Sequence, residues 1–376
     1  METEFNKLNI SIHDINCSYC KECDPFRIME GWTSGNPDID KLIKDTIYNI
    51  RYDVGWIRQF LEWVPFERFT DIEEIGEGGF AKVYSAIWID RKSEYHKNND
   101  GSYVKEKPKP RKVALKKLSG SQNISDKYLN ELKIHWNLFK SQRLRLFGLT
   151  KDPETKEFMM ILKFANDNGN FRDSLSNKFN DILWENKIKL LYDTLEGLQE
   201  LHELGYFHKD FHSGNILRVD DYMTFVSVFG LSGPTNDQKS DDKIYGVLPY
   251  IVPEVLNGES YTSSSDIYSF GVVMAELSSG KPPFYNKKHD LSLALAIYNG
   301  LRPEFGKGAP EFYKKLAYKC MSSNSIERPT TKDLLDILNL LYDSIQGSAD
   351  NDEKFGYKGK EIKVHLKRQI KRFQIS

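Results

Sequence analysis

The spacing of apolar residues divides the chain into a β-rich part followed by an α-rich part. From Phe69 the apolar positions are strand-like, with Ile-Glu-Glu-Ile before a group of glycines and Val-Tyr-Ser-Ala-Ile-Trp-Ile after it. Beyond residue 165 the apolar period is helical, and a leucine stripe runs from Leu190 to Leu204. Gly205 follows this stripe, and glycine commonly ends a helix. Strands followed by helices predict an α+β protein.

Three other segments have patterns that predict local structure. The first 66 residues contain a helical stretch, and we interpret them as a partly helical leader. Residues 91–112 are charged and polar and include Lys-Pro-Lys-Pro, which predicts an exposed hairpin insertion. A second long helix is predicted from a serine cap at 263–265 to Gly280, before two prolines. The apolar residues of the leader helix are Ile43, Ile47, Ile50, Ile57 and Leu61.

Composition narrows the class of protein. The chain has 53 Lys and Arg residues against 54 Asp and Glu residues. It therefore lacks the excess of basic residues that is typical of a nucleic-acid-binding protein. The 4 cysteines are too few for a disulfide-stapled secreted scaffold, which favours a reducing compartment. The acidic start does not resemble a signal peptide, and no window approaches about 18 unbroken apolar residues. We therefore expect a soluble, cytoplasmic protein.

A glycine-rich segment at 76–83 fits the pattern GxGxx(G/A), whose backbone amides can cradle phosphates. A dinucleotide-binding fold needs a helix directly after the glycines, but residues 83–89 read as a strand. The pattern fits better a strand–loop–strand hairpin over a nucleotide, with Lys116 on the next strand and Glu131 on the following helix. The three glycines are Gly76, Gly78 and Gly79.

The most specific stretch is His-Lys-Asp-Phe-His-Ser-Gly-Asn at 208–215, which matches H-R-D-x-x-x-x-N. Here the sequence resembles the eukaryotic protein kinases, and Phe-His-Ser-Gly-Asn-Ile-Leu is similar to the tyrosine-kinase-like group. Downstream, Val-Pro-Glu254 stands where the family has A-P-E. Asp266 resembles the aspartate that anchors the catalytic loop, and Arg328 resembles the arginine that pairs with Glu254. The resemblance covers about residues 69–343.

The resemblance implies the bilobal protein kinase fold, with a small β-rich N-lobe, a large α-helical C-lobe and ATP in the cleft between them. It places the kinase-like domain at 67–343, divided near residue 164 into N-lobe 67–164 and C-lobe 165–343. The leader then occupies 1–66, and residues 344–376 form a basic tail.

The same resemblance assigns roles to individual side chains. Lys116 would contact the α- and β-phosphates of ATP, and Glu131 would orient it. Asp210 would accept or orient the proton of the substrate hydroxyl, and Asn215 would give Mg²⁺ a neutral oxygen ligand. Each adenine-site residue taken alone is equally well explained as an ordinary core residue. Those residues are Val83, Ala114, Leu162 as gatekeeper, Ala165 in the hinge and Leu217.

One position breaks the family pattern. Where the family has D-F-G, the chain reads Val228-Phe-Gly, and an isopropyl group offers no oxygen to the bridging Mg²⁺. A loss of several kcal/mol of charge stabilisation corresponds to about three decades or more in rate. Two functions stay open: a protein kinase with impaired transfer, or a catalytically dead pseudokinase that acts as a scaffold or as an allosteric partner of another kinase. His212 and Val247 remove two cues for Ser/Thr substrates, so Ser/Thr against Tyr is also open.

Two features lie outside the kinase-like region. Cys17, Cys20 and Cys23 could bind Zn²⁺ together with His13, but they are crowded, and free thiols are the favoured interpretation. The tail at 354–372 is basic and amphipathic, a pattern able to bind an anionic membrane surface or an acidic partner. A solvated or lobe-docked terminal helix is the favoured alternative. The apolar face of the tail is formed by Ile362, Leu366, Ile370 and Phe373.

Overall fold

We describe the protein from a computed structural model of its 376 residues. The Cys cluster, Gly79, Val228 and most of the basic tail lie outside the described residues. The structure describes residues 31–49, 60–78, 81–90, 95–97, 103–105, 109–138, 145–165, 169–179, 182–218, 224–227, 233–234, 246–346, 348, 353–354, 356–362 and 364.

The described residues form two compact units. The first unit lies within Met1–Leu129 and Leu146–Phe164, and the second within Asn130–Arg145 and Ala165–Ser376. The change from one unit to the other after Phe164 coincides with the predicted boundary between the lobes. The described part of the leader belongs to the first unit, and the described part of the tail belongs to the second.

The first unit is built on a β-sheet. Its elements are α1 (Pro37–Asn49), β1 (Glu62–Trp63), β2 (Phe69–Gly78), β3 (Ala81–Trp88), β4 (Tyr95–Lys97), β5 (Tyr103–Lys105), β6 (Arg111–Leu118), β7 (Leu146–Lys151) and β8 (Phe158–Lys163). Among the described residues, the main sheet has six strands in the order β1-β7-β8-β6-β3-β2. Strands β4 and β5 pair antiparallel with each other, which confirms the predicted hairpin insertion.

The leader contributes both a helix and an edge strand to this unit. In α1, Ile39 and Ile43 are fully buried, in keeping with the predicted helix. The prediction was wrong at Leu61, which lies outside a helix and directly before β1. Strand β1 pairs parallel with β7, so a tertiary contact overrides the helical spacing at this position.

The second unit is mainly helical. The helix α2 (Asp126–Leu138) crosses from the first unit into the second. The other elements are α3 (Phe171–Lys178), α4 (Trp184–Glu203), β9 (Tyr206–Phe207), β10 (Ile216–Arg218), β11 (Thr224–Val226), β12 (Gly233–Pro234), α5 (Pro253–Leu256), α6 (Ser263–Ser279), α7 (Leu291–Tyr298), α8 (Glu311–Cys320), α9 (Thr331–Gln346), β13 (Glu353–Lys354) and β14 (Tyr357–Lys358).

Both long helices predicted from the sequence are present as α4 and α6. The leucine face of α4 lies in the core, with Leu190, Leu195 and Leu198 fully buried. Helix α6 ends at Gly280, whose φ of 70° is a left-handed conformation that favours glycine. A Cβ at this glycine would also lie 2.4 Å from the ring of Phe179.

Part of the tail packs on the second unit. Ile362 is 3% exposed and joins the main core, and Tyr357 packs against the same core. The amine of Lys354 lies 3.5 Å from Asp336 of α9. The rest of the predicted apolar face of the tail lies outside the described residues. Within the described ranges, no helix is long and apolar enough to cross a membrane.

Candidate active site

In the first unit, the register of the sheet places the predicted nucleotide-site residues on one face. Val83 of β3 stands opposite Gly76 on one side and Lys116 of β6 on the other. Two residues along β6, Ala114 stands opposite Leu162 of β8. Side chains opposite each other, or two apart on one strand, point to the same side of a sheet. Val83, Ala114, Lys116 and Leu162 therefore share a face.

The opposite face of the same sheet carries a hydrophobic core. Val113 and Leu115 alternate with Ala114 and Lys116 along β6 and are fully buried in a cluster with Ile161. This alternation fixes the direction of Lys116, because a shift of one residue would place the lysine in the apolar core. Lys116 itself is 5% exposed, and Leu162 is 6% exposed.

The glycine-rich segment is a hairpin. Gly76 pairs with Val83 and Gly78 pairs with Ala81, so a strand follows the glycines where a dinucleotide-binding fold would have a helix. Gly79 lies outside the described residues. The structure therefore agrees with the strand–loop–strand interpretation of this segment.

In the second unit, the catalytic loop follows α4 and β9, and Asp266 of α6 anchors it. One carboxylate oxygen of Asp266 accepts from the backbone N–H of His208 at 2.8 Å and lies 2.9 Å from His202 Nε2. The other oxygen accepts from the backbone N–H of Lys209 at 3.1 Å. Lys209 has a φ of 65°, a strained conformation for a residue with a Cβ. Asp266 is 1% exposed and holds this strained turn in place.

A second contact fixes His208 against the strand that precedes Val228. Its Nε2 lies 3.1 Å from the carbonyl oxygen of Ser227, and its Nδ1 accepts from the backbone N–H of Asp210 at 3.3 Å. Burial lowers the pKa of His208 in spite of the nearby carboxylates of Asp266 and Asp210. A neutral ring that donates through Nε2 and accepts through Nδ1 satisfies both contacts.

The loop brings Asp210 and Asn215 together. The amide of Asn215 donates to the backbone oxygen of Asp210 at 2.8 Å and to its Oδ2 at 3.1 Å. His212 Nε2 lies 3.6 Å from Asp210 Oδ1, and that buried oxygen has no hydrogen bond within the described part of the chain. Asp210 also lines a small pocket with Val247 and Tyr261. One oxygen of Asp210 is thus held in place, and the other has the capacity to accept a further hydrogen bond.

Electrostatics keep Asp210 ionised. Burial alone would raise the pKa of this carboxyl, but the nearby ring of His212 and the amide of Asn215 outweigh it, and the pKa is lowered. Because Asn215 turns its NH₂ group toward Asp210, its amide oxygen is the atom that can serve as a ligand for a hard cation. The donor set therefore fits Mg²⁺ at Asn215 and a hydroxyl proton at Asp210.

Further along the chain, Glu254 and Arg328 form the predicted pair. Two nitrogens of the guanidinium donate to the two carboxylate oxygens at 2.6 and 2.8 Å. The Arg328 side chain is fully buried and also donates to the carbonyl oxygens of Ser322 and Ser264. A two-pronged pair of this kind has a single geometry, so it fixes the segment after Val252 to the start of α9.

A buried polar network behind the loop was missed by the sequence analysis. Glu276 of α6 accepts from the hydroxyls of Ser213 at 2.9 Å and Tyr250 at 2.5 Å. Arg172 of α3 donates to both hydroxyls, at 3.2 and 3.3 Å. Burial raises the pKa values of Glu276 and Tyr250. No local pattern marks these residues, because they come from four distant segments and meet only in the folded C-lobe.

The remaining predicted site residues are placed as follows. Leu217 in β10 stands opposite Phe225 and packs against it, and Ala165 lies at the start of the second unit. Lys116 lies in the first unit, whereas Glu131 lies in α2 within the second. Their pairing, and the effect of Val228, stay predictions.

A β-sheet lobe, a helical lobe and a His-x-Asp loop anchored from the central helix together define the bilobal protein kinase fold. The family model described as protein tyrosine and serine/threonine kinase matches residues 69–338, and the chain belongs to this family.

Three relatives illustrate the similarity. The chain is 28% identical over 276 residues to a probable serine/threonine-protein kinase of Dictyostelium discoideum, covering 71% of this chain and 16% of that protein. It is 27% identical over 329 residues to a probable leucine-rich repeat receptor-like protein kinase of Arabidopsis thaliana, with coverages of 77% and 32%. It is 32% identical over 239 residues to the Arabidopsis serine/threonine-protein kinase-like protein CCR4, with coverages of 60% and 30%. The chain thus spans about a third or less of these relatives.

Proposed function

We propose that this chain binds ATP and belongs to the Ser/Thr-directed, tyrosine-kinase-like members of the family, with transfer of the γ-phosphate impaired by Val228. The main support is the loop geometry: Asp210 is ionised, one of its oxygens is held by Asn215, and the other is unbonded. That arrangement suits a base or positioning group for a protein hydroxyl.

ATP binding is supported by the shared face of the N-lobe sheet. Val83, Ala114 and Leu162 present apolar surface to an adenine ring, and Lys116 on the same face supplies a positive charge to the phosphates. The hairpin at Gly76 provides backbone amides for the triphosphate. Glu131 would hold the lysine in its phosphate-binding position.

The ligands available to Mg²⁺ support impaired transfer. When bound, Mg²⁺ would supply positive charge to the β- and γ-phosphates during transfer. Asn215 can hold one cation through a neutral amide oxygen, but Val228 cannot replace the carboxylate that the family uses for the bridging metal. A loss of about 4 kcal/mol of transition-state stabilisation would slow the reaction by about three decades.

The preference for Ser/Thr hydroxyls rests on the relatives, whose names describe serine/threonine kinases. Two positions at which the residue type can indicate Ser/Thr substrates hold His212 and Val247 in this chain. Neither residue gives that indication. Ser/Thr is favoured over Tyr on the relatives' names alone, because these two positions do not support it.

A pseudokinase scaffold is the second candidate, and Val228 is the observation that favours it. The contacts that hold the C-lobe together, Asp266 to the loop and Arg328 to Glu254, need no metal or nucleotide. A chain of this kind keeps its folded surface for partners, including another kinase, after the chemistry is lost.

Thermal-shift titration with ATP tests binding separately from transfer. Saturation at about 100-fold excess over Kd should add about 2.7 kcal/mol of stability, with little dependence on Mg²⁺. Lys116→Ala should reduce the shift, whereas Lys117→Ala, at the next position of the same strand and therefore on the other side of the sheet, should not. The absence of any shift with ATP, in both Mg²⁺ and chelator, would contradict nucleotide binding.

Val228→Asp tests whether the missing carboxylate is the main lesion. Phosphotransfer to a generic Ser/Thr substrate in Mg²⁺ should rise by about three decades, and ATP binding should become metal-dependent. In chelator the new carboxylate should weaken ATP binding by repulsion from the triphosphate. Equal activity of the parent and the variant would refute the impairment. A folded variant that binds MgATP without any gain in transfer would favour the scaffold.

A further inference from the structure

Helix α7 is apolar on two opposite faces. Leu293 and Ile297 point into the second unit and are 2% and 0% exposed. On the other side, Leu291 is 74% exposed, Leu295 is 54% exposed and Tyr298 is 48% exposed. These three residues are spaced i, i+4 and i+7 and form one stripe, which we name the α7 stripe. An apolar helix face of this kind normally packs against another element.

A basic loop precedes the stripe. Lys281, Lys287, Lys288 and His289 are all exposed in the segment that leads to α7. The one carboxylate of this segment, Asp290, caps the helix by accepting from the backbone N–H groups of residues 292 and 293. Its Oδ1 is thus committed to the helix end, and the three cationic or titratable side chains at 287–289 outnumber this one carboxylate beside the apolar stripe.

We propose that the α7 stripe and the basic loop form a docking surface for an acidic, amphipathic helical segment of a partner protein. Leu291, Leu295 and Tyr298 would pack against the apolar side of that segment, as two amphipathic helices pack along their apolar faces. Lys287 and Lys288 would attract its carboxylates, which speeds encounter and selects acidic partners.

Charge and size distinguish this partner from two others. In a two-fold contact between copies of this chain, the basic loops would lie near each other across a shared stripe and repel. An α-helix of 8 residues is about 12 Å long, and its three apolar side chains offer little depth for stable insertion into a lipid bilayer. An acidic protein helix meets both the apolar and the charged requirement.

The surface lies beside the loop segment that reaches the active site. Leu248 packs against the buried side of α7 with Leu293 and Ile297. Its neighbour Val247 lines the pocket that contains Asp210. A partner docked on the α7 stripe would therefore sit next to the segment that leads to the catalytic loop. Docking does not require phosphotransfer, so it stands with an active enzyme and with a pseudokinase.

The probe is a fluorescently labelled helical peptide with leucines at i, i+3, i+4 and i+7 and glutamates elsewhere. We expect fluorescence anisotropy to show binding to the full chain that weakens as salt is added. Leu295→Ser should weaken it about tenfold, which corresponds to about 1.4 kcal/mol. The double variant Lys287→Ala with Lys288→Ala should remove most of the salt dependence, because it removes the charges that attract the glutamates. A matched peptide with lysine in place of glutamate should not bind.

The control is Ile326→Ser, because Ile326 is 90% exposed and lies outside α7, in the short turn before α9. It should leave peptide binding unchanged, and circular dichroism should show the same fold for every variant. Equal binding of the lysine peptide, or no effect of Leu295→Ser, would overturn the inference. So would binding to phosphatidylserine vesicles in place of the acidic peptide. A concentration-dependent dimer that Leu295→Ser abolishes, without peptide binding, would assign the stripe to a second copy of the chain.

Discussion

Lys187 offers a test of the electrostatics of the C-lobe that is independent of catalysis. This lysine of α4 is 5% exposed, and its amine lies 4.0 Å from the centre of the Phe179 ring and 5.0 Å from that of Trp184. Burial lowers the pKa of Lys187 to about 8 from its usual 10.5. The folded protein therefore binds this proton more weakly than the unfolded chain does.

The sign and size of the effect follow from linkage. Below pH 8 both states are protonated, and the folded state carries the full cost of a buried ammonium group. Between pH 8 and 10.5 only the unfolded chain holds the proton, so the free energy of unfolding rises with pH. Each pKa unit is about 1.4 kcal/mol, so the cost at pH 7 is about 3 kcal/mol.

The change is Lys187→Met, which keeps the length of the side chain and removes the charge. Removing the charge removes the cost of about 3 kcal/mol, but the variant also loses cation–π contacts with two rings, worth about 1 kcal/mol. We therefore expect the variant to be about 2 kcal/mol more stable than the parent at pH 7. This advantage should shrink by about 3 kcal/mol as the pH rises to 10.5, where Lys187 no longer carries its cost. Urea unfolding of parent and variant at several pH values measures the difference.

Lys189→Met is the matched control on the same helix. Its amine lies 2.7 Å from Asp193 at a partly exposed position, so its removal should cost less than about 1 kcal/mol. A Lys187→Met variant that is less stable than the parent at pH 7 would refute the reasoning. A stability difference that does not change between pH 7 and 10.5 would show that the pKa of Lys187 is not lowered.

Three other changes test the contacts that hold the C-lobe. Arg328→Lys keeps the charge but loses the two-pronged hydrogen bonding to Glu254, so urea unfolding should show a loss of about 2–3 kcal/mol in the free energy of unfolding. A loss below about 0.5 kcal/mol would contradict this prediction. Ile362→Ala should lower the free energy of unfolding by about 2–4 kcal/mol in the same assay, whereas Val364→Ala at an exposed tail position should lower it by less than about 0.5 kcal/mol. Equal effects of the two changes would place the tail outside the core. Asp266→Ala leaves two loop amides without their acceptor, so hydrogen exchange at those amides should speed up; unchanged protection would mean that another group holds the loop.

The hydrogen bonds that hold the catalytic loop come from α6. Asp266 holds the backbone at His208 and Lys209, and Glu276 holds Ser213. These bonds join protein groups to one another and need no metal or nucleotide. They are therefore compatible with an active enzyme and with the pseudokinase proposed above.

The sequence by itself determined the local elements and the identity of the main loop residues. The strand–glycine–strand hairpin at Gly76 and the ends of α4 and α6 depend on neighbouring residues, through alternation, capping and glycine. The spacing of Asp210 and Asn215 within one short loop also brings their side chains together without help from distant segments.

Only the tertiary structure decided which distant residues meet. The sheet register places Val83 and Lys116 on one face, and helix packing joins Arg172 and Glu276 behind the loop. Lys187 lies on a helix whose pattern does not reveal that its amine packs on two aromatic rings. These contacts depend on how segments far apart in the chain fill a common core, and a local pattern carries no information about the partner that will arrive from elsewhere.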